Sequence, residues 1–358
     1  MLLRPARFSE QVVESLKPVP MYIGRSLKPF LGITAMKTLI TGVAGFIGSH
    51  VAEALLADGE AVVGLDNFDP FYDRRAKQDN LRHVCAAGGA FDFVEADIRD
   101  AGAVGDVFRA RGPFDVVLHL AARAGVRPSI ADPLGYESVN VAGTMNLLEA
   151  SVRLAPLPRF VFASSSSVYG NNPKAPFSES DNVDKPISPY AATKKAGELI
   201  CHTYHHLHGM PVWCLRFFTV YGPRQRPDLA ICKFTKQILA GEPVEMFGDG
   251  STSRDYTYID DIVFGVRRAI ERCAGYEIIN LGSEHPVALR DMIATVAAAC
   301  GREAVIQPRP MQPGDVERTC ADVTKARRLL DYRPTKPFAE GVKAQVQWYR
   351  GKKEVRSR

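Results

Sequence analysis

The sequence predicts a doubly wound α/β fold, a parallel sheet with helices on both faces, followed by a smaller C-terminal lobe. Three observations carry this expectation. From Lys37 onward, short apolar runs alternate with stretches of helix length; a glycine-rich turn joins the first run to the first helix; and beyond about residue 220 the alternation fades as Pro and Gly become more frequent. Strand and helix units alternating at this length require a sheet buried on both faces.

Taken in order, strands are expected at "KTLITG", "AVVGLD", "FDFVEAD" and "FDVVLHLAA", separated by helices, the first through "FIGSHVAEALLADG". A long helix through about residue 154, a strand at 159–164, a helix at 188–208 and the strand "VWCLRFF" complete the first unit. In the second, short strands near 244–246, 255–259 and 276–281 alternate with helices near 228–240, 260–272, 287–300 and 337–349. The expected division is a loosely ordered extension at 1–35, a nucleotide-binding domain with the catalytic residues at 36–220, a mainly substrate-binding lobe at 221–349, and a basic tail at 350–358. The extension carries Pro5, Pro18, Pro20 and Pro29 as breakers and ends just before Met36, which suits a loose arm or an upstream start.

Composition narrows the class. The 358 residues are 46% hydrophobic and 24% charged, ordinary for a globular protein with a substantial core. No apolar run approaches the ~18 residues of a membrane span and the first thirty residues lack a signal-peptide core, so a cytoplasmic protein with no membrane partner is expected. The seven cysteines are odd in number and widely spaced, which fits reduced packing residues. Of the net charge of +5, the extension holds +3 and the last nine residues +4, leaving −2 on the body. A body of that sign is not expected to bind nucleic acid.

The turn Gly42-Val43-Ala44-Gly45-Phe46-Ile47-Gly48 stands directly after the first strand and opens the first helix. Its glycines permit a tight turn, close approach of a pyrophosphate to the backbone, and helix-on-sheet packing. The spacing is G-x-x-G-x-x-G, a departure from the Rossmann G-x-G-x-x-G. Asp66, at the end of the second strand, is placed to accept from the ribose hydroxyls of NAD and to repel the extra phosphate of NADP. Arg74 and Arg75 lie beyond that turn, so NAD is the expected cofactor. In "SPYAATKKAGE", Tyr190 and Lys194 fall on one helix face. A tyrosine is a poor base at neutral pH, but an adjacent ammonium and an oxidised nicotinamide both favour the phenolate, which makes Tyr190 a candidate general base.

The glycine turn, "HLAA" at 119–122, the serine run of "FVFASSSSVYG" and Tyr-x-x-x-Lys occur in an order and spacing that resembles the extended short-chain dehydrogenase/reductase family of nucleotide-sugar epimerases and dehydratases. "AARAGVRPS", "RFFTVYGPRQRPD", "RDYTYIDDI" and "PMQPGD" are similar to its UDP-glucuronate 4-epimerase branch. The resemblance implies a UDP-sugar substrate, with Ser165 bridging a substrate oxygen and Tyr190, and with Lys194 on the nicotinamide ribose. It places Asp97 and Ile98 beside the adenine and Leu120, Ala121 and Ala122 along the cofactor cleft. Arg254 matches the family's diphosphate contact and Asp315 its ribose contact, and a homodimer is implied through the helices near 133–154 and 188–208.

Where dehydratases of this family carry an Asp-Glu pair after the catalytic hydroxyl, this chain has Ser166 and Ser167. Hydroxyls orient a substrate but transfer protons poorly at neutral pH, so the loop favours hydride removal and return at carbon 4 without elimination. Arg224, Arg226 and Arg254 are the cationic candidates for the diphosphate. Thr219 and Arg226 are the candidates for choosing the sugar, Arg226 by gripping a carboxylate or, alternatively, the diphosphate. Competing readings are a UDP-glucose or UDP-N-acetylhexosamine 4-epimerase, then dehydration or decarboxylation, and a silent NAD-binding scaffold. His202 and His206 have metal-ligand spacing, but no acidic or cysteine partner completes a set locally and the chemistry needs no metal.

Overall fold

Alternation of faces along the central strands builds the core. In the structure, a computed structural model, residues 35–310 and 316–356 are described. The expected extension, save Ala35, and Asp315 lie outside them. The first half runs β1 (Lys37–Thr41), α1 (Phe46–Ala57), β2 (Ala61–Asp66), α2 (Arg74–Ala86), β3 (Phe91–Glu95), α3 (Ala101–Arg111) and β4 (Val116–His119). Then come α4 (Val126–Ala131), α5 (Pro133–Glu137), a π-helical turn (Ser138–Ala142), α6 (Gly143–Ser151), β5 (Arg159–Ser165), a 3-10 turn (Ser166–Tyr169), α7 (Pro189–His208) and β6 (Val212–Phe217). The second half comprises β7 (Thr219–Tyr221), α8 (Ala230–Ala240), β8 (Val244–Phe247), β9 (Ser253–Tyr258), α9 (Ile259–Arg272), β10 (Tyr276–Leu281), β11 (Pro286–Ala288), α10 (Leu289–Cys300), β12 (Ile306–Arg309), α11 (Thr324–Leu330) and α12 (Phe338–Arg356).

Seven parallel strands form the main sheet in the order β10-β6-β5-β4-β1-β2-β3. Ile40, Leu118 and Val161 face one core with Val51, Leu55 and Val266, while Leu39, Val117 and Phe160 face the other with Val107, Leu147 and Cys201. That period of two is why both sides of the sheet are apolar. Strand order reverses between β1 and β4, and a crevice opens there at the carboxyl ends of the strands.

Three expectations change. The strand at 276–281, expected in the C-terminal lobe, is β10 and pairs with β6 in the main sheet. The long helix to residue 154 is instead α4, α5, a π turn and α6, because Pro133 ends one segment and Asp132 caps the next by accepting from the Gly135 N–H. The basic tail, expected to be solvated, continues α12 as far as Arg356. Arg350 donates to the Cys300 carbonyl at 2.6 Å and Lys352 pairs with Asp79 at 3.1 Å. Six cysteines are buried as expected of packing residues, and Cys85 is exposed.

Candidate active site

The glycine turn is shaped by close backbone approach. Gly42 has φ +74°, and a Cβ there would sit 2.8 Å from the Ala121 nitrogen; at Gly48 it would sit 2.3 Å from the Gly42 carbonyl oxygen. Gly42 therefore lets β1 and β4 close up, and Gly48 seats α1 on the turn. This α1 has no side-chain cap and no acidic residue in its first turn, so its leading N–H groups keep their affinity for an anion. Asp66 accepts from the Ala44 N–H at 3.1 Å and the Phe68 N–H at 2.8 Å. Burial raises its pKa and the Lys77 ammonium opposes that rise. Arg74 is engaged with Glu95 at 2.8 Å. Asp97 is brought down to about 2, chiefly by hydrogen bonding from Arg99.

The turn forms one wall of a cleft of about 480 Å³. Gly42, Gly45, Phe46, Ile47, Gly48, Asp66, Asp97, Ile98, Leu120, Ala121, Ala122, Ser165, Tyr190 and Lys194 all line it, with Ser166, Ser167, Thr219, Arg226 and Arg254. Ser165 stands at the end of β5, and its hydroxyl donates to Ser167 Oγ at 3.1 Å. Ser188 caps α7 by accepting from the Ala191 N–H at 3.1 Å, which fixes the first helical turn, where Tyr190 stands. Burial pushes the Tyr190 phenol up; a hydrogen bond with Ser165 and then the Arg226 guanidinium push it back down.

Lys194 is buried in the wall of the cleft. Its Nζ donates to the Ala163 carbonyl at 2.7 Å and lies over the Phe162 ring, and burial lowers its pKa to about 8. The Arg226 guanidinium also favours the phenolate, after the Ser165 hydrogen bond.

Two residues two positions apart on the loop after β7 have different fates. Arg226 lines the cleft over Phe71, its Nε and Nη2 donating to Asp228 at 3.0 and 2.7 Å. Arg224, expected at the diphosphate, does not line the cleft. Its guanidinium is bound to both oxygens of Glu53 on α1, at 2.6 and 2.7 Å, and to Ser49. His119, which opens the motif "HLAA" but was given no role of its own, lies between Thr41 and Thr144 at 2.8 and 2.9 Å and is pushed down to about 3 by burial. A neutral ring there ties β1 to β4 behind the cleft. Glu198 was likewise missed: it accepts from Ser164 at 2.6 Å and from Arg216 by two bonds of 2.8 Å. Its signal was present as the fourth residue after Lys194, but no spacing rule names an acid there. His202 packs edge-on to Tyr276, and His205 bonds to the Met210 carbonyl.

Comparison with known proteins agrees with this geometry. The family model described as GDP-mannose 4,6 dehydratase matches residues 39–345. UDP-glucuronate 4-epimerase 3 of Arabidopsis thaliana is 44% identical over 336 residues, covering 87% of this chain and 76% of that one. The crystal structure of UDP-glucuronic acid 4-epimerase from Bacillus cereus, in complex with UDP-glucuronic acid and NAD, superposes with a TM-score of 0.83 at 38% identity, covering 88% of this chain and 99% of that one. The Thermus thermophilus UDP-glucose 4-epimerase, in complex with NAD, gives 0.80 at 35% identity, with the same coverage. With its seven-stranded parallel sheet, glycine turn and Ser165, Tyr190 and Lys194 in one cleft, the chain belongs to the GDP-mannose 4,6 dehydratase family of extended short-chain dehydrogenases/reductases.

Proposed function

We propose that the chain is an NAD-dependent UDP-sugar 4-epimerase that interconverts UDP-glucuronate and UDP-galacturonate. The observation that carries this reading is the serine loop. Ser165 hydrogen-bonds the Tyr190 phenol in the cleft, and the next two residues lining it, Ser166 and Ser167, are not acids. The glycines whose Cβ positions are filled by backbone, the uncapped N-terminus of α1 and Asp66 together suit the pyrophosphate and ribose of NAD. Bound NAD supplies the acceptor and donor of the hydride at carbon 4.

In this reading Tyr190 takes the proton from the 4-hydroxyl and returns it to the 4-keto oxygen, while Ser165 hydrogen-bonds that same oxygen. Lys194 spends one N–H on Ala163 and keeps two for the nicotinamide ribose. Asp97 and Ile98 flank the adenine. Arg254 meets the diphosphate, and Asp315 is assigned the substrate ribose on resemblance alone. Because Asp228 takes one edge of the Arg226 fork, a uronate carboxylate meets its other edge, with Ser166, Ser167 and Thr219 supplying hydroxyl contacts. Asp228 also reduces the local positive charge, which gives a neutral sugar such as UDP-glucose its foothold as the second reading.

Incubation with UDP-glucuronate and UDP-glucose, followed by product separation, tests both readings. Preferential turnover of the uronate supports the first, and turnover of UDP-glucose alone replaces it with the second. Exposed Leu134, Leu199 and Leu207 on α5 and α7 support a homodimer through these helices. Light scattering on the purified chain checks that mass. Among the described residues no helix is long and apolar enough to cross a membrane, and a cytoplasmic setting accords with free thiols and a UDP-sugar substrate.

A further inference from the structure

The loop from Gly222 to Asp228 holds one arginine in the cleft and another outside it, and the outer one has an unusual backbone. Arg224 has φ +65°, a left-handed conformation that a branched or long side chain adopts only when its surroundings hold it. Its side chain is paired with Glu53, the two side chains being 10% and 19% exposed. Glu53 lies on α1, the helix that opens at the glycine turn. The same loop is fixed from other directions. The Gly222 N–H donates to Gln345 of α12 at 2.9 Å, and Gln225 accepts from the Cys232 N–H at 3.1 Å and from Gln345 at 2.8 Å.

We propose that Arg224 and Glu53 form a strut that positions Arg226 in the cleft, so that Arg224 is a positioning residue for the uronate rather than a phosphate ligand. Releasing Glu53 frees Arg224 to leave its left-handed conformation. Gln225 keeps its own bonds to Cys232 and Gln345, so the change is taken up in the backbone between the two anchors and tilts the stretch that carries Arg226. Arg226 then loses its place over Phe71 and beside Tyr190. A displacement of about 1 Å in a substrate-orienting group is enough for a hundredfold effect. The proposal rests on the reading of Arg226 as the carboxylate contact.

The test uses the full-length protein with its cofactor and compares Arg224→Ala, Glu53→Gln, Arg226→Ala and the double variant R224A/R226A. The charge swap R224E/E53R is included as a rescue. For Arg224→Ala and Glu53→Gln, KM for UDP-glucuronate rises at least tenfold, while KM for UDP-glucose and the affinity for UDP, measured by calorimetry, stay within about twofold. The double variant is no worse than Arg226→Ala alone, since the strut acts only through Arg226. The swap recovers a part of the lost KM. Loss of UDP affinity in Arg224→Ala, multiplying effects in the double variant, or no rescue by the swap each overturns the strut. Glu53→Gln keeps its volume, and its melting curve reports folding if Arg224→Ala is unstable. If Arg226→Ala is impaired on the uronate and Arg224→Ala is not, the strut alone falls. If Arg226→Ala is itself silent, the reading of Arg226 falls and the strut with it.

Discussion

The cofactor side and the sugar side of this cleft are built from different materials. On the proposed cofactor side the pyrophosphate site is backbone: a turn that admits no Cβ at Gly42 or Gly48, and an α1 terminus left without a cap. On the proposed sugar side the charged candidates are long side chains on the loop after β7, where Arg224 and Arg226 stand in one motif yet one grips Glu53 and the other enters the cleft. A backbone site is fixed by residue type and spacing, because only glycine permits the conformation. A side-chain site is fixed by distant partners, because an arginine reaches whichever carboxylate the fold brings to it.

The largest effect belongs to the group where both sides meet. Tyr190→Phe removes the proposed proton acceptor and little volume, and general acid–base catalysis of this kind is worth roughly 10²–10⁴-fold. Epimerisation is expected to fall by at least that much, to the limit of detection, with NAD still bound. Turnover within a few-fold of the parent, followed by product separation, would remove Tyr190 from its role and leave the two sides without a common reacting centre.

Gly48→Ala sharpens the backbone half of the comparison. Its methyl would fall 2.3 Å from the Gly42 carbonyl oxygen, which is main chain and has no rotamer to move. Overpacking against backbone costs about 1–3 kcal/mol, so a lower melting temperature and at least tenfold weaker NAD binding are expected. Parental NAD affinity by fluorescence titration would show that the turn has slack. The contrast explains what was legible. The sheet, the turn, Asp66 and the Tyr190–Lys194 face follow from periodicity and glycine spacing. The positions of β10, Arg224 and the Lys194 amine depend on pairing partners remote in sequence: Val212, Glu53 and the Ala163 carbonyl. No local pattern carries such information. Ser165 and Asp97 were placed by resemblance rather than by any local rule.

Arg226→Ala probes the side-chain half. A charge-assisted contact is worth roughly 1.5–3 kcal/mol, about tenfold to a hundredfold in affinity, and the loss is expected on UDP-glucuronate but not on UDP-glucose. Equal losses on both would assign the arginine to the diphosphate. The same variant carries a pH signature. Arg226 stabilises the Tyr190 phenolate against the upward push of burial, so its removal raises the Tyr190 pKa further. Activity that depends on the phenolate then appears at higher pH, and the acid limb of kcat moves upward relative to the parent. An acid limb that stays in place would separate Arg226 from the phenol.

The smallest effect tests whether remote side-chain partners far from the cleft follow the same rule without touching function. Arg350, expected in a solvated tail, instead donates to the carbonyl of Cys300, the last residue of α10. A cation at a helix C-terminus meets the negative end of the helix dipole and satisfies a carbonyl that has no partner within the helix. Such an interaction contributes about 0.3–1 kcal/mol, so Arg350→Ala is expected to lower the melting temperature of a chain this size by about 0.5–1.5 °C. Because α10 lies outside the residues that line the cleft, kcat and KM for the UDP-sugar should not change. A fall in kcat would mean that α12 transmits the loss through Gln345, which holds the Gly222 N–H at the start of the arginine loop. In that case the loop's geometry would be set from the C-terminal helix as well as from α1.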